Sequence, residues 1–437
     1  MYLKQTINKI LLSSRIQALK IKKEKYAHFD KNESLIFKYQ IKQFNKTWSY
    51  ATKNIKFYSE YSIKYKLPNK IEALIELNQF PIINKDQLIN FFSSKENKFY
   101  LKNQIKTGGS TGKPASFPFN SQDQKSSYLR SYLGRSRLGI NPFDSTALIW
   151  GHSHLFEKNL IGRYKYFLRK FKDLQLNIIR LSAYNMSNES VDNYIKIIKT
   201  QNIKFLIGYT SCIVKIANRL IELNNNHVFT NLKSIVVTAE NVDKIDIKLI
   251  ENVFKINCDI EYGTAEAGVL GYSDDCSKKI NFFWDDYIYQ KNQDNNLIIT
   301  SIYDRYFPLI RYDTGDIIKN HYSQDSLLFT NQIIGRSNDN LEIEVNSKKI
   351  IVHSELFTHI LKSIDDVKDF LIFQKNQNIK INYVSNNKKG DIGEVFFKKL
   401  EKEYSNFNKN YFTFINVPEL KKFSSLSGKK KWIIIEK

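Results

Sequence analysis

Five short segments carry residues whose types and spacing suit the handling of a nucleotide. The first is Thr107-Gly108-Gly109-Ser110-Thr111-Gly112-Lys113-Pro114. Small residues let backbone N–H groups converge on an anion, and hydroxyls and a lysine add donors and charge, which suits a polyphosphate. It is not a Walker-type P-loop. That pattern needs a glycine at Thr107 and a hydroxyl residue at Pro114, and proline there also blocks the start of a helix. The second segment is Glu261-Tyr262-Gly263-Thr264-Ala265-Glu266-Ala267-Gly268. An aromatic closes a strand, a glycine turn follows, then a carboxylate. The ring suits stacking on a base, and Glu266 suits a magnesium ion held on phosphates. The third, Pro308-Leu309-Ile310-Arg311-Tyr312-Asp313-Thr314-Gly315-Asp316, sets Asp316 after a glycine turn, where it can accept hydrogen bonds from ribose hydroxyls. Arg311 is set to pair with Asp313 in a structural salt bridge. The fourth, Gly335-Arg336-Ser337-Asn338-Asp339, and the fifth, Ser427-Gly428-Lys429-Lys430-Lys431, read singly as a polar linker and a solvated basic loop.

Glycine placement supports a site made of separated loops. The chain has 16 glycines, and nine of them fall in or beside these segments. The elements that must hold the loops follow from periodicity. Residues 1–100 read mostly helical, punctuated by Pro68 and Pro81. From about residue 143, short apolar runs alternate with helical patterns. Strands are predicted at Thr146–Trp150, Asn177–Leu181, Lys204–Ile207, Ser234–Thr238 and Asp259–Tyr262. Between them Val191, Tyr194, Ile195 and Ile198 keep helical spacing, as do Ile213, Ile216, Ala217 and Leu220, with Thr210 or Ser211 as a cap. This alternation predicts an α/β body. Past residues 335–340 come a hairpin (Leu341–Val345, Lys349–Val352), a helix (Ser354–Leu361) and strands near Asp369–Phe373, Ile379–Val384 and Trp432–Ile435. That is a separate α+β unit of ordinary domain size. Ser385–Gly390 and Lys421–Lys431 read as exposed loops.

Composition bounds the class. Of 437 residues 42% are hydrophobic, which excludes global disorder. Three cysteines, Cys212, Cys258 and Cys276, make no disulfide framework. No apolar run reaches the roughly 18 residues of a membrane span, and Met1–Lys25 lacks the core of a secretory signal. An amphipathic surface helix there, with Ile7, Ile10, Leu11 and Ala18 on one side, leaves peripheral membrane contact open. The net charge of +23 is spread along the chain, with no zinc-finger, RNP or bZIP pattern, so no nucleic-acid partner is expected.

In order and spacing the five segments resemble the acyl-adenylate-forming (AMP-binding) superfamily. Within it they are most similar to the phenylacetate–CoA ligase family and its CapK-like capsular polysaccharide biosynthesis proteins. Thr107–Pro114 resembles that family's TSGSTGKP phosphate loop, with Gly108 for a serine. Tyr262–Glu266 resembles its YG-x-x-E, Leu309–Asp316 its LIRY-x-TGD, Gly335 to Asp339 its GR-x-x-D hinge, and Ser427–Lys429 its terminal SGK. Weaker echoes are Phe80–Lys85, Gly208-Tyr209-Thr210-Ser211, and Thr238-Ala239-Glu240-Asn241, where a proline is usual at Asn241. The likeness spans roughly residues 55–437.

The resemblance implies a large multi-sheet adenylate-forming domain over residues 1–336, a hinge at 337–340 and a small mobile α+β lid over 341–437. It implies a ligase that uses ATP and Mg²⁺ to turn a carboxylic acid into acyl-AMP and then passes the acyl group to a thiol, CoA first. Carrier-protein thiols and sugar amines are the alternative acceptors. A basic, non-catalytic binding protein that keeps the fold is the rival from another class. Thr107, Gly108, Gly109, Ser110, Thr111, Gly112 and Lys113 would hold the β- and γ-phosphates. Thr264 and Glu266 would serve the α-phosphate and Mg²⁺. Tyr262, Gly263, Ala239 and Glu240 would flank adenine, and Asp316 with Arg336 the ribose. Asp339 would be the hinge, and Lys429, with Lys430 and Lys431 as the alternatives, would bridge carboxylate and phosphate. Trp150, His152, Tyr184 and Tyr209 are the acyl-pocket candidates. A zinc cluster found in some relatives is not expected, because only Cys276 lies near its place. The low cysteine count makes a reducing compartment the default, so a cytoplasmic enzyme is expected.

Overall fold

The computed structural model describes residues 13–29, 32–106, 116–151, 160–183, 186–224, 229–273, 278–319, 326–336, 341–346, 348–352, 354–385, 391–401, 406–420 and 432–436. Among the described residues four α-helices come first: α1 (Ser13–Phe29), α2 (Glu33–Asn54), α3 (Lys56–Lys64) and α4 (Lys85–Ser93). The Asn32 side chain accepts from Leu35 N and starts α2, and Asn84 with Gln87 forms a reciprocal cap on α4. The described part of α1 turns Leu19, Lys22 and Tyr26 inward. Lys22 Nζ lies 2.7 Å from Asp285 and 3.2 Å from Asp286, and Tyr26 donates to Asp285 at 2.8 Å. This face of the described part of α1 therefore packs on the body, while Ile21 on the other side is exposed. Ile7, Ile10 and Leu11 lie outside the described residues.

A hairpin of β1 (Gln104–Lys106) and β2 (Ser116–Pro118) leads to α5 (Ser121–Arg137). Then come β3 (Thr146–Trp150), α6 (Leu160–Leu176), β4 (Ile178–Ser182), α7 (Asn188–Thr200), β5 (Phe205–Tyr209), α8 (Thr210–Glu222), β6 (Ser234–Thr238), α9 (Lys244–Phe254) and β7 (Cys258–Thr264). With β8 (Gly268–Ser273), β9 (Ile280–Phe282) and a late β13 (Phe329–Thr330), they form an eight-stranded sheet ordered β13-β9-β8-β7-β6-β5-β3-β4. The run from β7 to β4 is parallel, and the β8 side is antiparallel. Every residue of β5 and β6 is buried, as expected of parallel strands covered on both faces. Leu206, Ile235 and Val237 feed a core under α7, α8 and α9. Phe205, Ile207 and Val236 feed the core on the other face, under α5 and α1. α5 lies so close to β8 that a Cβ on Gly134 would sit 2.0 Å from the Tyr272 ring.

A second, antiparallel sheet of β10 (Tyr287–Lys291), β11 (Asn296–Ser301), β12 (Tyr312–Lys319) and β14 (Gln332–Arg336) stands beside it, while β13 (Phe329–Thr330) joins the first. The C-terminal part has its own core. It comprises the hairpin β15 (Leu341–Val345) and β16 (Lys348–Val352), α10 (Ser354–Lys362), α11 (Ile392–Leu400), and a mixed sheet of β17 (Val367–Lys375), β18 (Asn378–Ser385), β19 (Phe412–Asn416) and β20 (Ile433–Glu436). Lys362 of α10 donates to Asp246 of α9 at 2.5 Å, joining this part to the larger one.

The architecture is thus the expected α/β body with a smaller α+β unit. Some local expectations are corrected. β4 starts at Ile178 because Asn177 adopts a left-handed φ of 56°. α8 is not capped by its own Thr210 or Ser211. Ser211 N and Oγ instead donate to Glu240 at 2.8 and 3.0 Å, so the cap comes from the neighbouring strand end. Arg311 does not pair with Asp313: its Nη1 donates to the carbonyls of Leu77 and Phe80 at 2.8 and 2.9 Å. Asp313 accepts from Gly315 N and Asn296 Nδ2. Ser385 ends β18 rather than opening a loop, and the rest of that expected loop and residues 421–431 lie outside the described residues.

Candidate active site

The parallel strands of the large sheet end on one edge, the edge where open α/β sheets receive ligands. Trp150, Tyr209, Thr238 and Thr264 close β3, β5, β6 and β7 there. Ala239, just past β6, holds a positive φ of 67°, a conformation that an alanine keeps only when its surroundings demand it. Glu240 is committed to the start of α8. Tyr209 is buried, its ring centroid 4.7 Å from that of Trp150, and it accepts from Gly151 N at 3.4 Å. His152 and Tyr184 lie outside the described residues.

The second and third sequence segments interlock. Tyr262 of β7 donates to Asp316 of β12 at 2.8 Å. Tyr312 of β12 donates to Glu266, in the turn after β7, at 3.1 Å. Each segment's tyrosine thus holds the other segment's carboxylate, across the seam between the two sheets. All four side chains are at most 9% exposed. Thr264 Oγ1 accepts from Ala267 N at 3.2 Å and tightens the same turn. Asp316 is paired in register with Arg336, which brings the backbone of the fourth segment to the seam.

The first segment is also anchored here at its base. Phe117 of β2 packs edge-on against Tyr312 at 6.0 Å, in one core with Tyr262. Residues 107–115 lie outside the described residues, and so do Asp339 and Lys429. The strand around Tyr312 is steered by the segment at Pro81: Ile83 N donates to Arg311 O, and Asp313 N donates to Ile83 O, both at 2.9 Å.

Two buried arginines hold the turn that carries Glu266. Arg130 Nη2 donates to Ala267 O at 2.8 Å, and its Nε donates to Val269 O at 2.6 Å. Its Nη1 meets Asp286 at 2.7 Å. Arg305 Nη2 donates to Glu266 O at 2.5 Å. Burial opposes the Arg130 charge, but Tyr287, Asp286 and Tyr303 outweigh it and raise its pKa. Burial likewise opposes the Asp286 charge, yet Lys22 and Arg130 hold its carboxyl below the usual carboxylate range. Sequence reading missed Tyr312, Arg130 and Arg305. Of these only Tyr312 stood inside a recognised segment.

Gly263 makes the seam possible. A Cβ there would lie 2.4 Å from Gly268 O and 2.9 Å from Val269 Cα, both backbone atoms that cannot swing aside. Gly263→Ala is expected to spread β7 from β8 and shift Thr264 and Glu266. A displacement near 1 Å costs on the order of 10²-fold in rate. ATP–pyrophosphate exchange of the variant against its circular dichroism checks this, and full activity with an unchanged fold would refute it.

Magnesium is tested by the donor set. Glu266 is a buried carboxylate whose one described hydrogen-bond donor is the Tyr312 hydroxyl. Among the described residues no group of three or more His, Cys, Asp or Glu side chains is placed to hold a metal ion. A lone carboxylate fits an ion that takes its other ligands from substrate phosphates and water.

No family model matches the chain. It is 28% identical over 422 residues to Protein CapK of Staphylococcus aureus, covering 91% of this chain and 89% of the relative. It is 30% identical over 128 residues to indoleacetate–lysine synthetase of Pseudomonas savastanoi, covering 29% of this chain and 32% of that one. Among solved structures it superposes on 2-hydroxyisobutyryl-CoA ligase in the postadenylation state with a TM-score of 0.68 at 12% identity, over 91% of this chain and 89% of the ligase. On the same ligase in the thioesterification state, over the same shares, the TM-score is 0.56 at 13% identity. The chain therefore has the two-domain fold of the acyl-adenylate-forming ligases and is a sequence relative of Protein CapK.

Proposed function

We propose that the chain activates a carboxylic acid with Mg-ATP and then transfers the acyl group to a thiol. The observation that carries this reading is the cross-bonded pair Tyr262–Asp316 and Tyr312–Glu266, which sets one carboxylate in the turn after β7 and the other within β12, at a seam where the base of the glycine-rich hairpin is also anchored. In the first step a carboxylate oxygen attacks the α-phosphorus, the bond to the β-phosphate oxygen breaks, and pyrophosphate leaves. This is chiefly a matter of positioning and charge neutralisation.

Asp316 orients the ribose hydroxyls, with Arg336 opposite it in the ladder. Thr264 serves the α-phosphate, and Tyr262, Gly263, Ala239 and Glu240 frame the base. Thr107 to Lys113 take the outer phosphates, and Lys429 bridges the reacting carboxylate and phosphate. A magnesium ion held by Glu266 would neutralise phosphate charge. In the second step a thiolate attacks the acyl carbonyl and AMP leaves. The 2-hydroxyisobutyryl-CoA ligase was solved in distinct postadenylation and thioesterification states, which supports residues 337–340, with Asp339, as a hinge for the 341–437 unit.

CoA is the first acceptor to test, a carrier-protein thiol the second. The partial match to indoleacetate–lysine synthetase favours an amine as the rival acceptor. The resemblance of the five segments to the CapK-like capsular polysaccharide biosynthesis proteins favours a place in surface-polysaccharide assembly, in the cytoplasm.

Acid-dependent ATP–pyrophosphate exchange, run with aryl, fatty, hydroxy and amino acids, tests the first step. Exchange with one acid class is the expected result and names the substrate. Loss of all ATP binding by calorimetry would overturn the reading in favour of a binding protein that keeps the fold. With the acid known, CoA, carrier protein and amines are compared for acyl transfer.

A further inference from the structure

Asp123 lies in the first turn of α5 and has more partners than a helix cap needs. Its Oδ2 accepts from Asn120 N at 2.9 Å, while Asn120 Oδ1 accepts from Asp123 N at 3.0 Å, a reciprocal cap. Such a cap works at a helix end in water. Asp123 is instead wholly buried, and a buried carboxylate must be met by charge or by donors. Its other oxygen, Oδ1, accepts from the Tyr303 hydroxyl at 3.2 Å and faces Arg305 Nε at 3.8 Å. Tyr303 and Arg305 both sit in the connection between β11 and β12.

One side chain therefore stands between two pieces of the candidate site. On one side, Asn120 comes two residues after β2, the exit strand of the glycine-rich hairpin. Phe119 N, between them, donates to Asn103 O at 2.9 Å, next to the start of β1. On the other side, Arg305 Nη2 donates to Glu266 O at 2.5 Å. Its Nη1 donates to the Tyr287 hydroxyl, which in turn donates to Ala267 O. Asp123 and Arg305 thus span from the base of the hairpin to the turn that carries Glu266. Two helical turns further along the same face of α5, Arg130 grips that turn directly. Among the described residues Arg305 Nε meets no hydrogen-bond acceptor, so the span is charge-paired but not closed.

We propose that Asp123 is a positioning residue which, through Arg305, keeps the phosphate hairpin in register with the Glu266 carboxylate. The inference rests on the Mg-ATP reading given above. Register between the two pieces matters when one ion must touch both the phosphates and Glu266. Asp123 therefore governs the affinity that magnesium adds to ATP more than the binding of ATP itself. The open contact at Arg305 Nε leaves room for the two pieces to draw together on nucleotide, as hydrogen bonds in empty sites often tighten when ligand arrives.

The test is calorimetry of ATP binding, with magnesium and with a chelator, for the wild type, Asp123→Asn, Arg305→Lys and the double variant. The asparagine keeps an oxygen for Asn120 N but turns an NH₂ group, another donor, toward Tyr303 and Arg305. The lysine keeps the charge but cannot span from Glu266 O to Asp123. Each single variant is expected to cut the gain from magnesium by about ten-fold or more, with a much smaller change in magnesium-free affinity. The double variant is expected to lose no more than the worse single one, because both act through one contact. Equal weakening with and without magnesium, the mark of a role in folding alone, overturns the proposal. So do losses that multiply in the double variant. If Asp123→Asn does not fold, Arg305→Lys decides by the same measure. Variants that keep the wild-type magnesium gain overturn this inference alone. A wild type that binds ATP with no magnesium gain also overturns it, and leaves acid activation to the exchange assay. A wild type that binds no ATP overturns the Mg-ATP reading and this inference together.

Discussion

Replacing Glu266 with glutamine is expected to lower acid-dependent ATP–pyrophosphate exchange by about 10²–10³-fold while leaving the protein folded. The amide has the size of the carboxyl and still offers Tyr312 an acceptor, so the link from the β7 turn to β12 survives. The negative charge does not. In a site at most a few per cent exposed, that charge is poorly replaced by water. If Glu266 holds the metal on the phosphates, the variant also needs more magnesium for half-maximal exchange. A purely structural role moves only the rate, so titrating magnesium in both proteins separates the two. A loss below about three-fold would remove Glu266 from the chemistry altogether.

Arg130→Met carries the largest expected stability loss. The methionine fills much of the space but leaves Asp286 short of a cation and the carbonyls of Ala267 and Val269 without the donor they have now. Breaking one partner out of a buried ionic cluster costs about 3–5 kcal/mol. Urea unfolding followed by tryptophan fluorescence reads it, and an unchanged midpoint would rule it out.

The same cluster sets an acid signature. Lys22 and Arg130 hold the Asp286 carboxyl low despite burial, so its contribution is present above the unfolded pKa and is lost as pH falls below about 4. In the variant the native pKa rises toward the unfolded one, so this acid-dependent loss should be smaller than in the wild type, because one of the two cations holding the carboxylate is gone.

Legibility varied with physical cause. Ser234–Thr238 and Thr146–Trp150 announced themselves because strands covered on both faces need continuous apolar runs. The antiparallel sheet did not. β12 reads Tyr-Asp-Thr-Gly-Asp-Ile-Ile-Lys, and its alternation is masked by buried Thr314 and Asp316, polar residues kept inside for the site. The segments were recognised as chemistry before they were recognised as strands. Their interlock was invisible, because nothing in a one-dimensional pattern says that Tyr262 bonds forward to Asp316 while Tyr312 bonds back to Glu266. Arg130 was equally silent. In its own helix Arg135 and Arg137 look the same, yet only Arg130 is wholly buried among the three. Arg311 and Asp313 show the converse: sequence proximity suggested a pair, but Arg311 sits just ahead of β12 with a left-handed φ of 43°, and its side chain goes to the carbonyls before Pro81 while that of Asp313 goes to Asn296.

The contact between Lys362 and Asp246 has a kinetic meaning. It fastens the C-terminal part to α9 through a charged hydrogen bond of 2.5 Å, both partners mostly shielded. If the C-terminal part swings as the proposed two-step reaction would require, it must let this bond go and remake it every cycle. The ion pair then behaves as a detent: it lengthens the dwell in one posture without choosing the chemistry done there. Solvent ions compete for both ends once they separate, so the cadence of the whole catalyst becomes sensitive to electrolyte at a point remote from the reacting atoms.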